Sequence, residues 1–245
     1  MYSEGINKME KNFSISFVLP MFNESQNIEK TIATLKNLAK EFTEDYEIVV
    51  VDDASTDASA RIVESMSKND SVIKLFSLKK NTKFGGAFAK GFEKARKDVI
   101  VYMDSDMPVK LEDLKASIPL ILDFDIVTGY SKIKKGDTFF RKIISGTYNF
   151  LVESLFGLNV KDINSGYKVV RRSVVEGIKF VSRSPFADVE LFMRAKIKKC
   201  TIHQFPLIFM PREGGKSYIA RVPVILATFR DMLKIKILSY KKTNS

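Results

Sequence analysis

The sequence is poor in the residues used for thiol, zinc and histidine chemistry. Among 245 residues there is one cysteine, one histidine and no tryptophan. A lone Cys200 excludes an intramolecular disulfide. It lies in KIKKCTIHQF, just before an expected buried strand, and reads as a small core residue, with a reducing cytoplasm permitted. With His203 the only histidine, the usual His/Cys zinc sites are excluded by count. So is any nucleophilic mechanism that needs a pair of histidines. The remaining chemistry belongs to carboxylates, lysine, arginine, a metal or the substrate itself. No run reaches the roughly 18 uninterrupted apolar residues of a spanning helix, and the amino terminus lacks the apolar core of a signal peptide. Low-complexity linkers and internal repeats are also missing, so disorder is expected only at the ends, MYSEGINKMEK and YKKTNS.

What is present is positive charge. Forty Lys and Arg against 29 Asp and Glu leave a formal net charge of +11, which favours an anionic partner: nucleic acid, a phosphorylated ligand or an acidic membrane surface. There is no helix-turn-helix, zinc-finger or RNP-type motif, so specific nucleic-acid binding is not expected. The length suits one substantial core, or one domain with an appendage.

The first half alternates. Strands are expected at 15–20, 47–51, 72–78, 98–103 and 125–129, and helices at 27–42, 57–68, 84–97 and 111–122. Continuous apolar strands in this alternation predict an α/β fold with a mostly parallel sheet covered on both faces. In such sheets ligands bind beyond the carboxyl ends of the strands. The second half predicts a long amphipathic helix over 137–158, with Ile144, Tyr148, Leu151 and Leu155 on one face. A turn and strand follow at 163–172, a helix at 186–199, a strand at 201–211 and a last helix at 222–238.

Two strands stop at paired acids, Asp52-Asp53 and Asp104-Ser105-Asp106. Asp-x-Asp at a strand end puts both carboxylates on one face, because strand side chains alternate with period two. Two hard oxygen ligands suit Mg²⁺ or Mn²⁺, and magnesium is commonly completed by substrate phosphates. The alternative is a solvated acidic turn, since the pattern is short. Three further stretches raise the specificity: VLPMFNES at 18–25, the glycine-containing NTKFGGAFAKGFEKA at 81–95, and KDINSGYKVVRR at 161–172.

In this order the motifs resemble family 2 glycosyltransferases of the GT-A fold, and within them the dolichyl/polyprenyl-phosphate mannose and glucose synthases. The resemblance runs from about Ser14 to about Leu238. The family's P-x-Y-N-E is similar to Pro20-Met21-Phe22-Asn23-Glu24, and its D-D-G-S-x-D to Asp52-Asp53-Ala54-Ser55-Thr56-Asp57. Its D-A-D resembles Asp104-Ser105-Asp106, and its D-x-x-S-G-F/Y resembles Asp162-Ile163-Asn164-Ser165-Gly166-Tyr167. FADVELFMRA and PREGGKS are similar to the later F-x-x-E-L and R-x-x-G-x-S segments.

The resemblance implies a Rossmann-like GT-A domain over 12–215 and a C-terminal amphipathic helix with a basic tail over 216–245. It implies Pro20, Phe22, Glu24, Val51 and Asp53 around the nucleotide's base and ribose, and Asp104, Ser105 and Asp106 at the diphosphate and a Mg²⁺ or Mn²⁺ ion. Arg141, Arg212 and Lys216 would meet phosphate groups. It further implies an inverting transfer of a hexose from UDP-glucose or GDP-mannose to dolichyl or polyprenyl phosphate, by a peripheral enzyme on the cytoplasmic face of a membrane. A family 2 enzyme for an alcohol acceptor of a surface glycan, or an inactive nucleotide-sugar binding module, stays open beside it. For an alcohol acceptor Asp162, Asp188 and Glu190 are the candidate bases, the last two also reading as a capped, solvated helix face.

The chain departs from the family three times, one of them near the C-terminus, where the family's S-K reads Lys216-Ser217-Tyr218. Pro108 stands where mannose synthases carry a glutamine beside the metal. Lys132 follows Gly129-Tyr130-Ser131 where the family has G-S-R, and lysine can replace arginine there only as a point charge. The helices near 139–156 and 222–238 admit three readings: an interfacial membrane contact, core packing, or dimerisation.

Overall fold

The computed structural model describes residues 13–132, 139–210 and 222–243. Seven strands form one sheet: β1 (Ile15–Met21), β2 (Tyr46–Asp52), β3 (Ile73–Ser77), β4 (Val99–Met103), β5 (Ile126–Ser131), β6 (Tyr167–Arg171) and β7 (Ile202–Leu207). Their order is β3-β2-β1-β4-β6-β5-β7. All described pairings are parallel except those of β6, which runs antiparallel to β4 and β5. The helices are α1 (Ile28–Phe42), α2 (Ser59–Asn69), α3 (Lys83–Lys94), α4 (Leu111–Ser117), α5 (Phe139–Phe156), α6 (Arg172–Val175), α7 (Phe186–Ile197) and α8 (Val222–Thr243).

The apolar strands are buried on both faces, and period-two alternation sorts their side chains into two cores. Ile15, Phe17, Leu19, Ile48, Val50, Val99 and Val101 face α1, α2 and α4, meeting Ile32, Leu35, Val63 and Leu114. Val18, Val49, Val51, Ile100 and Tyr102 point the other way, towards Phe88 and Phe92 of α3, Val152 of α5, Phe186 and Phe192 of α7, and Met232 and Ile235 of α8. Each large side chain buried here stabilises the fold by about 1.5–3 kcal/mol.

Two expected elements differ in detail. The helix expected at 111–122 ends at Ser117 and continues as a 3-10 turn over 118–122. Pro119 has no N–H for the α-helical ladder, and its ring clashes with the carbonyl four residues back. On α5 the inward stripe is Tyr148, Val152 and Phe156 rather than the line through Leu151 and Leu155. Phe156 packs against Phe186 of α7 at 5.7 Å, which leaves Leu155 exposed. Cys200 is half-buried against the α7 core, and His203 stacks on Phe124 at 4.7 Å. Neither sits with the strand-end acids.

At the amino end of the sheet Glu47 ties three segments together. Its carboxylate accepts from Ser16 Oγ (2.7 Å) and Arg96 N (2.7 Å) and pairs with Lys74 Nζ (2.9 Å). Burial pushes its pKa up, but these partners outweigh burial and hold it below the ordinary value.

Candidate active site

The parallel strands β1, β2, β4 and β5 deliver the expected motifs to one edge of the sheet, at their carboxyl ends. The antiparallel β6 brings its beginning to the same edge. Tyr167 pairs with Met103, and Asp104 N donates to Gly166 O at 3.2 Å. The turn 162–166 therefore lies directly against the Asp104 carboxylate. A Cβ on Gly166 would sit 2.6 Å from Asp104 Oδ2, so glycine is what permits this approach.

The loops after β1 and β2 are stapled together. Asn23 N donates to Ser55 Oγ (3.0 Å), and Thr56 N to Asn23 Oδ1 (2.8 Å). Glu24 N donates to Ser59 Oγ (2.7 Å), and Ser25 N to Asp57 Oδ2 (3.1 Å). Asp57 also receives Ser59 N and Ser59 Oγ. These bonds outweigh burial and hold its pKa down at about 2. The sharp turns need positive φ at Asn23 (57°) and Ala54 (61°).

Of the residues implied for the nucleotide, Phe22 is 47% exposed at the mouth, and Pro20 and Glu24 are half-buried beside it. Val51 differs: its side chain is fully buried in the core under α3, so it supports the site from below. Asp53 is also buried, and its Oδ1 accepts from Thr82 N (2.6 Å) and Thr82 Oγ1 (2.7 Å) at the start of α3. Burial raises its pKa against those bonds, with Asp52 adding to the rise. Gly86 leaves room for the Thr82 hydroxyl, which a Cβ there would approach to 2.1 Å.

Asp104, Ser105 and Asp106 lie on a turn just past β4, not on the strand itself. Met107 N closes the turn on Asp104 O at 3.3 Å, and Met107 has φ 49°. Turn geometry, rather than strand alternation, sets where the two carboxylates point. Ser105 is buried, and its carbonyl accepts from Thr31 Oγ1 of α1 at 2.9 Å, bracing the turn from behind. Pro108 is buried. Its carbonyl accepts from Met210 N at 2.8 Å, and Val109 bridges Phe209. This tether leads the chain from β7 back beside the acids. Arg212, two residues further on, and Lys216 lie outside the described residues. Arg141 falls in the first turns of α5, and Lys132 is exposed just after β5.

Asp104 and Asp106 are both half-buried, and they fit a hard divalent cation by the chemistry of their oxygens. Among the described residues no group of three or more acidic, His or Cys side chains forms a metal cage.

Sequence reasoning missed the buried cation behind this turn. Lys168 is fully buried, donates to Ser165 O, and lies 2.8 Å from Asp188 Oδ1. The Asp188 contact is an ion pair by distance but lies outside hydrogen-bonding angles. Complete burial lifts Asp188 to about 6. Lys168 pulls it down, while Asp104 and Asp162 push it up. The signal was a lysine inside the apolar strand YKVV. Glu190 is likewise buried, receiving Val181 N, Ser182 N and Arg194. Neither acid is a solvated helix face, and Glu190 is committed to structure. Thr31, Thr82 and Asn164 carried no sequence signal.

The model described as glycosyl transferase family 2 matches residues 16–179 of the chain. The chain belongs to that family. A dodecaprenyl-phosphate galacturonate synthase of Rhizobium johnstonii is 25% identical over 234 residues, 94% of this chain and 68% of that protein. An undecaprenyl-phosphate 4-deoxy-4-formamido-L-arabinose transferase of Pseudomonas fluorescens is 27% identical over 178 residues, 71% of this chain and 52% of that protein. The chain thus spans 68% and 52% of the length of these two curated relatives. Among solved structures, glucosyl-3-phosphoglycerate synthase from Mycobacterium tuberculosis, in complex with Mn²⁺, uridine diphosphate and phosphoglyceric acid, superposes with a TM-score of 0.67. It is 18% identical, with 93% of this chain and 78% of that chain covered. That likeness is one of fold, the GT-A fold that the motifs imply.

Proposed function

We propose that this glycosyltransferase moves a hexose from a nucleoside diphosphate sugar to a polyprenyl or dolichyl phosphate at the cytoplasmic surface of a membrane, with inversion at the anomeric carbon. The relatives named for polyprenyl-phosphate substrates support the acceptor class. The observation that carries the reading is the outward face of α8. Leu226, Phe229 and Leu233 are exposed along one stripe, with exposed Arg230 and Lys234 beside it, while Met232 and Ile235 pack inward. An apolar stripe edged by cations suits the interface of an anionic bilayer. Phe150 on α5 adds a further exposed ring. Among the described residues no helix is long and apolar enough to cross a membrane.

In the proposed reaction an acceptor phosphate oxygen attacks the anomeric carbon. The bond from that carbon to the nucleoside diphosphate breaks, and the diphosphate leaves with the electron pair. Asp104 and Asp106 would hold Mg²⁺ or Mn²⁺, which supplies Lewis-acid stabilisation of the leaving diphosphate. The stapled 22–25 and 53–57 loops hold the base and ribose. The phosphate acceptor is already largely dianionic at neutral pH, its second pKa being about 6, so it needs no general base. This agrees with Glu190 being committed to backbone amides and Asp188 to Lys168. An alcohol acceptor would instead need a base such as Asp162.

The test is transfer from radiolabelled UDP-glucose and GDP-mannose, with Mg²⁺ or Mn²⁺, to undecaprenyl and dolichyl phosphates in detergent. Label passing into the organic phase from one donor supports the reading and names the sugar. Metal-dependent consumption of donor with no lipid product would direct the reaction to an alcohol or water.

A further inference from the structure

Loop 181–185 joins β6 and α6 to α7, and it is held by four elements at once. Val181 N and Ser182 N donate to Glu190 of α7, at 3.0 and 2.9 Å to Oε2. Arg183 N and Ser184 N both donate to Asp231 Oδ2 of α8, at 2.9 and 3.0 Å. Four successive amides are thus taken by two buried carboxylates. The loop's carbonyls then reach the two sides of the site. Gly85 N, at the start of α3, donates to Arg183 O at 3.3 Å. The approach is so close that a Cβ on Gly85 would lie 2.5 Å from the Arg183 carbonyl carbon. Asn164 Nδ2, in the turn lying against Asp104, donates to Pro185 O at 3.0 Å.

Asp231 is 4% exposed on the inner face of the same helix whose outer face carries Leu226, Phe229 and Leu233. The two faces are one helix diameter apart, about 10 Å. We propose that Asp231 is a positioning residue for the acceptor side of the active site, so that α8 is a working part of the catalytic unit. The inference rests on the transfer reading and deepens it: the helix that would meet the membrane also sets the turn that receives the acceptor.

The two sides of the site depend on this loop in different ways. The start of α3 has its own anchor in the two bonds between Thr82 and Asp53, so donor binding keeps its support when Asp231 is lost. The Asn164 side chain reaches the loop through Pro185 O and also meets the Tyr148 hydroxyl of α5, so the 162–166 turn takes its position from the loop and from α5 together. A displaced Asn164 moves the 162–166 turn, and with it the surface facing Asp104 where a nucleophile must be aligned. Misplacement by an ångström costs transfer about tenfold to a hundredfold.

The test uses the full chain in detergent with Asp231→Ala and Asp231→Asn. Asparagine keeps a carbonyl oxygen for both amides; alanine does not. Thermal melting verifies folding, calorimetry with UDP or GDP and Mn²⁺ measures nucleotide binding, and transfer kinetics give kcat and the acceptor KM. The expected pattern for Asp231→Ala is kcat down by about tenfold or more and a raised acceptor KM, with nucleotide affinity changed by less than about twofold. Asp231→Asn recovers most of the loss. Wild-type kcat and acceptor KM in a folded Asp231→Ala overturn the proposal. So does nucleotide affinity that weakens in step with kcat, the mark of general loosening. If Asp231→Ala does not fold, Asp231→Ser, which offers a shorter oxygen, takes its place with the same criteria. If the wild-type chain glycosylates no lipid phosphate, the transfer reading fails on its own. Hydrogen exchange then decides the tie: faster exchange at 183, 184 and 162–166 in Asp231→Ala supports it, and unchanged exchange at 162–166 overturns it.

Discussion

Ala54 has φ 61° where the family motif D-D-G-S-x-D carries glycine. An L-residue in this region costs about 1–2 kcal/mol, partly offset by the larger chain entropy that glycine loses on folding. Ala54→Gly is expected to stabilise the protein by up to about 1 kcal/mol, read as a higher urea midpoint with an unchanged slope. At the turn after β4, Asp104→Asn and Asp106→Asn keep shape and remove charge. Each is expected to lower turnover by about a hundredfold or more while leaving the melting temperature within a few degrees. Wild-type turnover with ordinary metal dependence in either variant would remove these acids from the site. The acids were legible in the sequence because a run of β-branched residues stopping at carboxylates is a local pattern. Lys168 and Thr31 were not, because their partners lie on other elements: Asp188 is 20 positions away from Lys168, and Ser105 is 74 away from Thr31.

At the scale of elements, alternation identified strands and helices well, since each apolar run has its own period. The direction of β6 was not legible. Nothing local in YKVVR says that it runs against its neighbours, yet that reversal brings the 162–166 turn beside Asp104. The inward stripe of α5 also escaped, because side chains three or four apart offer overlapping faces and packing against Phe186 chose between them. At the opposite edge of the sheet, Glu47 joins β1, β2 and the segment after α3. Its folded pKa is depressed, so its contribution is complete above the ordinary value of 4.5 and is lost as pH falls through the folded value. Glu47→Gln is expected to cost about 1–3 kcal/mol at pH 7. The gap to wild type should narrow in urea unfolding below about pH 4.5, the ordinary value of this carboxyl. A gap independent of pH would contradict the ionised role.

For the whole molecule, the +11 charge and the exposed stripe of α8 point the same way. Replacing Leu226, Phe229 and Leu233 together by serine is expected to abolish sedimentation with vesicles rich in anionic lipid, while melting and nucleotide binding stay as in wild type. Wild-type binding should weaken as salt is raised, because the electrostatic share is screened within about 10 Å at 0.1 M. Undiminished vesicle binding by the triple variant would give the stripe to another partner. Transfer to a lipid phosphate is the step on which the proposed function stands. Its most direct measurement is ³¹P NMR of undecaprenyl phosphate incubated with the protein, a nucleotide sugar and Mn²⁺. The phosphate monoester signal should be replaced by that of a glycosyl phosphodiester as nucleoside diphosphate appears. An unchanged monoester signal while donor is consumed would contradict that transfer.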